Sequence, residues 1–215
     1  MEKTRKLTLM AMIAALAYLV MLVGRIPVVM FLKYDPTDVV IAIGAFLLGP
    51  AAGAIITVLV SLIEMLTASD TGVIGFFMNV LSTAAFVLPA SIIYHRHRNI
   101  KSAVVGLGIS VVAMTAMMLA WNYIVTPYYM GYPRQAVAEL LLPVFLPFNL
   151  FKGVLNAGIT LLVYKPVVGA LTKARMLPDK GTSSHPPRRF SVQATVIGLF
   201  AVVTAILCFW FLGTH

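Results

Sequence analysis

Asn149, Lys152 and Asn156 stand three and four residues apart inside an apolar run that begins at Pro147 and continues to Leu162. At about 100° per residue the three fall within one narrow sector of a helix. A charge at the centre of a membrane helix costs roughly 2.5–3.5 kcal/mol on insertion scales, so a lysine in such a run is by default a candidate for a functional site. The plainer reading is a lysine snorkelling from a helix end. A second polar face lies on the segment after Gly72, where Asn79, Ser82 and Thr83 share a side by three- and four-residue spacing. Asn122 is flanked by Trp121 and Tyr123, and Phe76, Phe77, Tyr128, Tyr129, Phe148 and Phe151 crowd the same predicted level.

Asparagine offers both a donor and an acceptor, which suits the alternating N–H and C=O edge of a flat, pyrimidine-like ring. Aromatic walls with a few polar groups are what such a ligand needs. Interhelical hydrogen bonding and an interfacial aromatic belt account for part of the pattern. They leave three asparagines and a lysine at one depth unexplained. Catalytic signatures are missing. The chain has no G-x-x-x-x-G-K-[ST] loop, no H-E-x-x-H and no Cys/His ligand cluster, and its histidines (His95, His97, His185, His215) all fall in flanking segments. Neither a metal site nor a bound cofactor is expected. Glu64 and Lys152 are the only charges well inside apolar spans. The pattern describes a binder, not an enzyme.

The elements that must position these residues are membrane helices. The 215-residue chain is 60% hydrophobic and 11% charged, with mean hydropathy +0.96, against about 25% charged in an average soluble domain. A single cysteine, Cys208, excludes an internal disulfide framework. The net charge of +9 sits beside apolar spans, where the positive-inside rule explains it without a nucleic-acid partner. Lys3, Arg5 and Lys6 precede a first span, about 7–23, that lacks a small-residue cleavage site and reads as retained. A loop through Lys33-Tyr34-Asp35-Pro36 follows, with Thr37 or Asp38 placed to cap the next helix. Residues 38–67 are too long for one crossing and carry Gly49-Pro50, a turn signal. They divide into a short span, 38–48, and a second, 50–67. Further spans are expected at about 74–94, 102–125 and 148–171, the last preceded by a segment, 137–146, that Pro143 and Pro147 break. With the N-terminus cytoplasmic, this division puts 12 of the 16 Lys and Arg residues inside. Residues 173–190 are a basic, Pro-rich cytoplasmic linker. Val192 to Leu212 reads as a seventh span with the C-terminus outside, and Ala194, Gly198, Ala201 and Ala205 allow it to pack closely on a neighbour.

The run Pro147-Phe148-Asn149-Leu150-Phe151-Lys152-Gly153, the Ala11-x-x-x-Ala15 pair, the short second helix ending in Gly49-Pro50, the Asp35–Asp38 loop and Asn122-Tyr123 together resemble the substrate-binding S component of energy-coupling factor (ECF) vitamin transporters. The riboflavin-binding members are the most similar. The resemblance covers about residues 5–172. It implies an all-α membrane protein, a six-helix S-component bundle to which this chain adds the seventh helix, organised as 1–172, 173–190 and 191–215. It implies a multi-pass protein of the bacterial plasma membrane that takes riboflavin or FMN from outside as cargo. Asn149, Lys152 and Asn122 match the positions that contact the flavin ring, Asn79 matches the asparagine early in helix 4, and Lys33, Tyr34 and Asp35 belong to the loop over the ligand. Ala11 and Ala15 match the surface that meets the membrane-embedded T component, driven by two ABC-type ATPases. Alternatives are an S component for another heterocycle, thiamine or pterin-like, and a membrane enzyme or assembly factor with Glu64 and Lys152 as its charged pair.

Overall fold

A computed structural model describes residues 3–29, 32–174, 192 and 195–204. It is a helical membrane protein with one small hairpin. Helix α1 (Lys3–Gly24) leads into strands β1 (Ile26–Val29) and β2 (Leu32–Tyr34). Then come α2 (Thr37–Leu48), α3 (Pro50–Thr67), α4 (Gly72–His97), α5 (Ile100–Met130), α6 (Arg134–Leu140), a π-helical turn (Leu141–Phe145) and α7 (Leu146–Lys173). A short apolar helix, α8 (Thr195–Thr204), closes the described chain. Among the described residues, five helical segments are long and apolar enough to cross a membrane: α1, α3, α4, α5 and the continuous 134–173 run.

The expected division at Gly49-Pro50 is present. Gly49 adopts φ +102°, a left-handed conformation that costs a residue with a Cβ more than it costs glycine. Its N–H closes α2 on the Ala45 carbonyl at 2.9 Å, and Pro50 opens α3, where its missing N–H does no harm. Neither Thr37 nor Asp38 caps α2. The Asp35 carboxylate accepts from the Thr37 N–H at 3.2 Å instead, which releases Asp38 for another use.

Three expectations about local structure need correction. The loop after α1 is an antiparallel hairpin pairing Ile26 with Tyr34, Pro27 with Lys33 and Val29 with Leu32. Helix α5 runs through Pro127 to Met130 and stops at Gly131, φ +67°. The 134–173 stretch is not broken at Pro143 and Pro147. A π-helical turn takes up the displaced hydrogen bonds, and Pro147 sits in the first turn of α7. The linker 173–190 beyond residue 174, and most of the seventh span expected at 192–212, lie outside the described residues.

The main core joins α1, α2, α3, α4 and α5 through Ala14, Ala17, Ile41, Phe46, Ile56, Phe86, Val87, Leu107 and Met114. A smaller cluster of Leu32, Val137, Phe145 and Phe148 holds the hairpin to the π turn. A third, of Tyr34 and Leu155 with Val28, Phe151 and Val202, holds it to α7 and α8.

Candidate functional site

The charges inside the bundle are paired. Asp38, at the start of α2, is 1% exposed. Its Oδ1 accepts from the Thr83 hydroxyl of α4 at 2.6 Å and its Oδ2 from the Asn156 amide of α7 at 3.1 Å. The Lys152 ammonium lies 3.4 Å from the same Oδ2. Asn156 in turn accepts at Oδ1 from the Tyr34 hydroxyl at 3.0 Å. One carboxylate therefore ties α2, α4, α7 and the hairpin together. A buried carboxylate persists only when its charge and lone pairs are answered, and here a lysine, a hydroxyl and an amide answer them. Burial pushes the Tyr34 phenol well above its usual range, and the negative charges of Asp38 and Asp35 push it further. Its hydroxyl is a neutral donor throughout the physiological range.

Glu64 of α3 anchors the second group. The Arg25 guanidinium, just beyond α1, pairs with Glu64 Oε1 and reaches the Ala68 carbonyl at 3.4 Å. The Asn79 amide donates to Glu64 Oε2 at 2.7 Å. Glu64 and Lys152 are thus not each other's partners: each has its own counterion from another element.

Both groups line one cleft of about 300 Å³, bounded by Asp35, Asp38, Glu64, Asn79, Thr83 and Lys152 together with Thr37, Ile41, Val60 and Ser61. A larger cavity, about 520 Å³, lies at the other end of the bundle between Phe46, Tyr94, Leu161, Tyr164 and Pro166. Its walls also carry Thr160, Lys165 and Thr195 but no carboxylate among the described residues, whereas the other cleft combines buried carboxylates, a lysine and an amide and is the better candidate.

Of the expected ligand residues, Asn79, Lys152 and Asp35 line the cleft. Tyr34 reaches the same network through Asn156. Lys33 points elsewhere and pairs with Asp70 in the loop between α3 and α4. Asn122 and Asn149 are buried, at 1% and 2% exposure, but are not part of the cleft lining. Asn122 donates to the Met118 carbonyl at 2.7 Å and accepts from Thr126 at 2.9 Å. Asn149 donates to the Phe145 carbonyl at 2.8 Å, at the end of the π turn. Both stand next to the cluster that Phe145, Phe148 and Leu119 form with Leu32. The aromatics separate into two sets. Phe77, Tyr123, Tyr128, Tyr129 and Tyr132 are exposed and fit an interfacial belt, while Phe148 is buried and Phe151 packs edge-on to Tyr34 with ring centroids 6.4 Å apart.

Sequence reasoning missed Asp38 and Arg25 as members of the polar groups, while Thr83 lies on the polar face it expected for α4. The available signal was electrostatic: Lys152 and Glu64, each inside an apolar span, both need a counterion, and Asp38 and Arg25 stand at the ends of neighbouring helices. On α1, Ala14 and Ala17 are buried in the core, whereas Ala11 and Ala15 are exposed beside Thr8, Met12 and Leu19.

Residues 5–164 match the family model of the ECF transporter substrate-specific component. The chain belongs to this family. Its family is a transport component and not an enzyme, and the five apolar helical segments make this S component a multi-pass membrane protein. Among its relatives, the riboflavin transporter RibU of Staphylococcus aureus is 29% identical over 182 residues, covering 80% of this chain and 95% of the relative. The riboflavin transporter FmnP of Bacillus subtilis is 26% identical over 175 residues, covering 75% and 91%. A solved structure of the S component of a bacterial ECF transporter superposes with a TM-score of 0.67 at 28% identity, covering 79% of this chain and 99% of that one.

Proposed function

We propose that this S component captures riboflavin from outside the cell and passes it inward together with a membrane-embedded T component and two ABC-type ATPases. The observation that carries the reading is the charged cleft, with Lys152, Asn79 and Asp35 in its walls, in a chain whose relatives are riboflavin transporters. Lys152 and Asn79 supply donors and Asp35 an acceptor for a polar heterocycle. Asn122, Asn149, Phe148 and Phe151 supply amides and aromatic surface next to them. The sequence lacks a nucleotide-binding loop, so energy must come from partners. Ala11 and Ala15, on the exposed face of α1, are the proposed contact with the T component. Six crossings with the N-terminus cytoplasmic, the α2–α3 pair being divided at Gly49, keep most of the basic residues inside. The seventh helix then returns the C-terminus to the outside.

The protein should purify yellow from riboflavin-replete cells, with a flavin absorption spectrum at one equivalent. A colourless preparation that does not take up added riboflavin would overturn the proposal. Binding of thiamine or a pterin in its place would reassign the cargo within the family.

A further inference from the structure

Helix α8 packs against α7 more closely than side chains ordinarily permit. A Cβ built on Gly158 would stand 2.9 Å from the Gly198 carbonyl oxygen, and one on Gly198 would stand 2.8 Å from that of Gly158. Backbone meets backbone here, and only glycine on both sides allows it. The two helices run antiparallel. Thr195 borders the cavity walled by Tyr164 and Pro166, Gly198 meets Gly158 and Leu162, and Val202 meets Gly158 and packs on the Tyr34–Leu155 cluster.

That last contact joins α8 to the binding network. Tyr34 belongs to the cluster on which Val202 packs and donates its hydroxyl hydrogen to Asn156. Asn156 holds Asp38, and Asp38 holds Lys152. Gly158, two residues beyond Asn156 on α7, supports the same helix from the side away from the cleft.

We propose that α8 is a positioning element of the binding site. Through the Gly158–Gly198 contact and Val202 it fixes Tyr34 and Asn156, and through them the hairpin and the Asp38–Lys152 pair. None of its described residues lines the charged cleft. This role rests on the riboflavin reading above for its functional consequence, and on the packing alone for its structural one.

A double-mutant cycle in the full-length protein tests it. Gly198→Leu displaces α8, and Val202→Ala removes its contact with the Tyr34 cluster while leaving the glycine crossing intact. Each should speed riboflavin dissociation by about three- to tenfold with association little changed, since residues in one network couple by such amounts. Val202→Ile should restore the wild-type rate. In a Tyr34→Phe background neither substitution should add a further effect. Amide exchange in the ligand-free protein reads the same coupling without cargo: both variants should loosen the 32–34 strand and leave α3 unchanged. Unaltered dissociation and unaltered exchange would overturn the proposal, as would effects that multiply with Tyr34→Phe. Looser exchange in a protein that binds no flavin at all would uphold the positioning role and refute the riboflavin reading.

Discussion

Asp38 holds more of the site together than any other residue, because three side chains, Thr83 of α4 and Lys152 and Asn156 of α7, place a donor or a cation on one buried carboxylate. Removing one partner from a buried pair costs about 3–5 kcal/mol, since the remaining charge is left unanswered. Asp38→Ala, which strands Lys152, should therefore lower the stability of the detergent-solubilised protein by about that much. The double replacement Asp38→Asn/Lys152→Met should recover most of it, and thermal unfolding reads both. On the ligand side, Asn149→Ala and Lys152→Ala should each weaken flavin binding by about 1–3 kcal/mol, the cost of leaving a buried polar group unpaired. Unchanged fluorescence quenching in both would remove those residues from the site. The Lys33–Asp70 pair behaves differently because it is exposed. The hydrogen bond and charge of Lys33 hold the Asp70 carboxyl below its usual range. A carboxylate so depressed contributes fully above its ordinary range, and the contribution is lost as pH falls through the lowered value. Between about pH 5 and 8 the hairpin's amide exchange should show no step attributable to this pair. Protection should decline only in stronger acid, and Asp70→Asn should abolish that decline.

At the scale of elements, α2 and α3 were legible because Gly49-Pro50 interrupts a run too long for one crossing, and the structure divides the chain there. The hairpin was not legible. Its strands are four and three residues long, and one contains Pro27, which reads as a breaker. It is held by Leu32 and Tyr34 packing into clusters that local sequence cannot reveal. Continuity from 134 to 173 was hidden for a related reason: two prolines read as a break, but a π-helical turn lets the axis continue. The polar stripe of α7 was visible from spacing alone. Its counterion was not, because Asp38 lies 114 residues away in sequence and resembles an ordinary cap. The α2–α3 division carries a prediction about sidedness. In a Cys208→Ser background, Gln135→Cys should react with an impermeant thiol reagent added to whole cells, and Arg96→Cys should not. Both positions are exposed. The reverse pattern would mean that residues 37–67 cross the membrane once.

At the scale of the whole molecule, the cleft and the exposed face of α1 are separate features of one bundle. Asp38 and Asn79 lie near the starts of α2 and α4 and Arg25 just past the end of α1, whereas Ala11 lies toward the start of α1. Binding and energy coupling should therefore be separable. Ala11→Trp or Ala15→Trp should abolish uptake in cells while leaving the isolated subunit's flavin affinity nearly intact, because a bulky ring keeps a partner helix from close approach. Loss of binding in both would assign the alanines to internal packing, and normal uptake would place the partner surface elsewhere. The central claim, that the charged cleft with its adjoining aromatic cluster is a riboflavin site, is tested most directly by calorimetric titration. Riboflavin is titrated into the ligand-free wild-type protein and into Lys152→Ala, with thiamine as the competing cargo. The account predicts a single tight site for riboflavin, weakened about five- to hundredfold in the variant, and no heat from thiamine. Equal riboflavin affinity in the two proteins, or binding of thiamine alone, would contradict it.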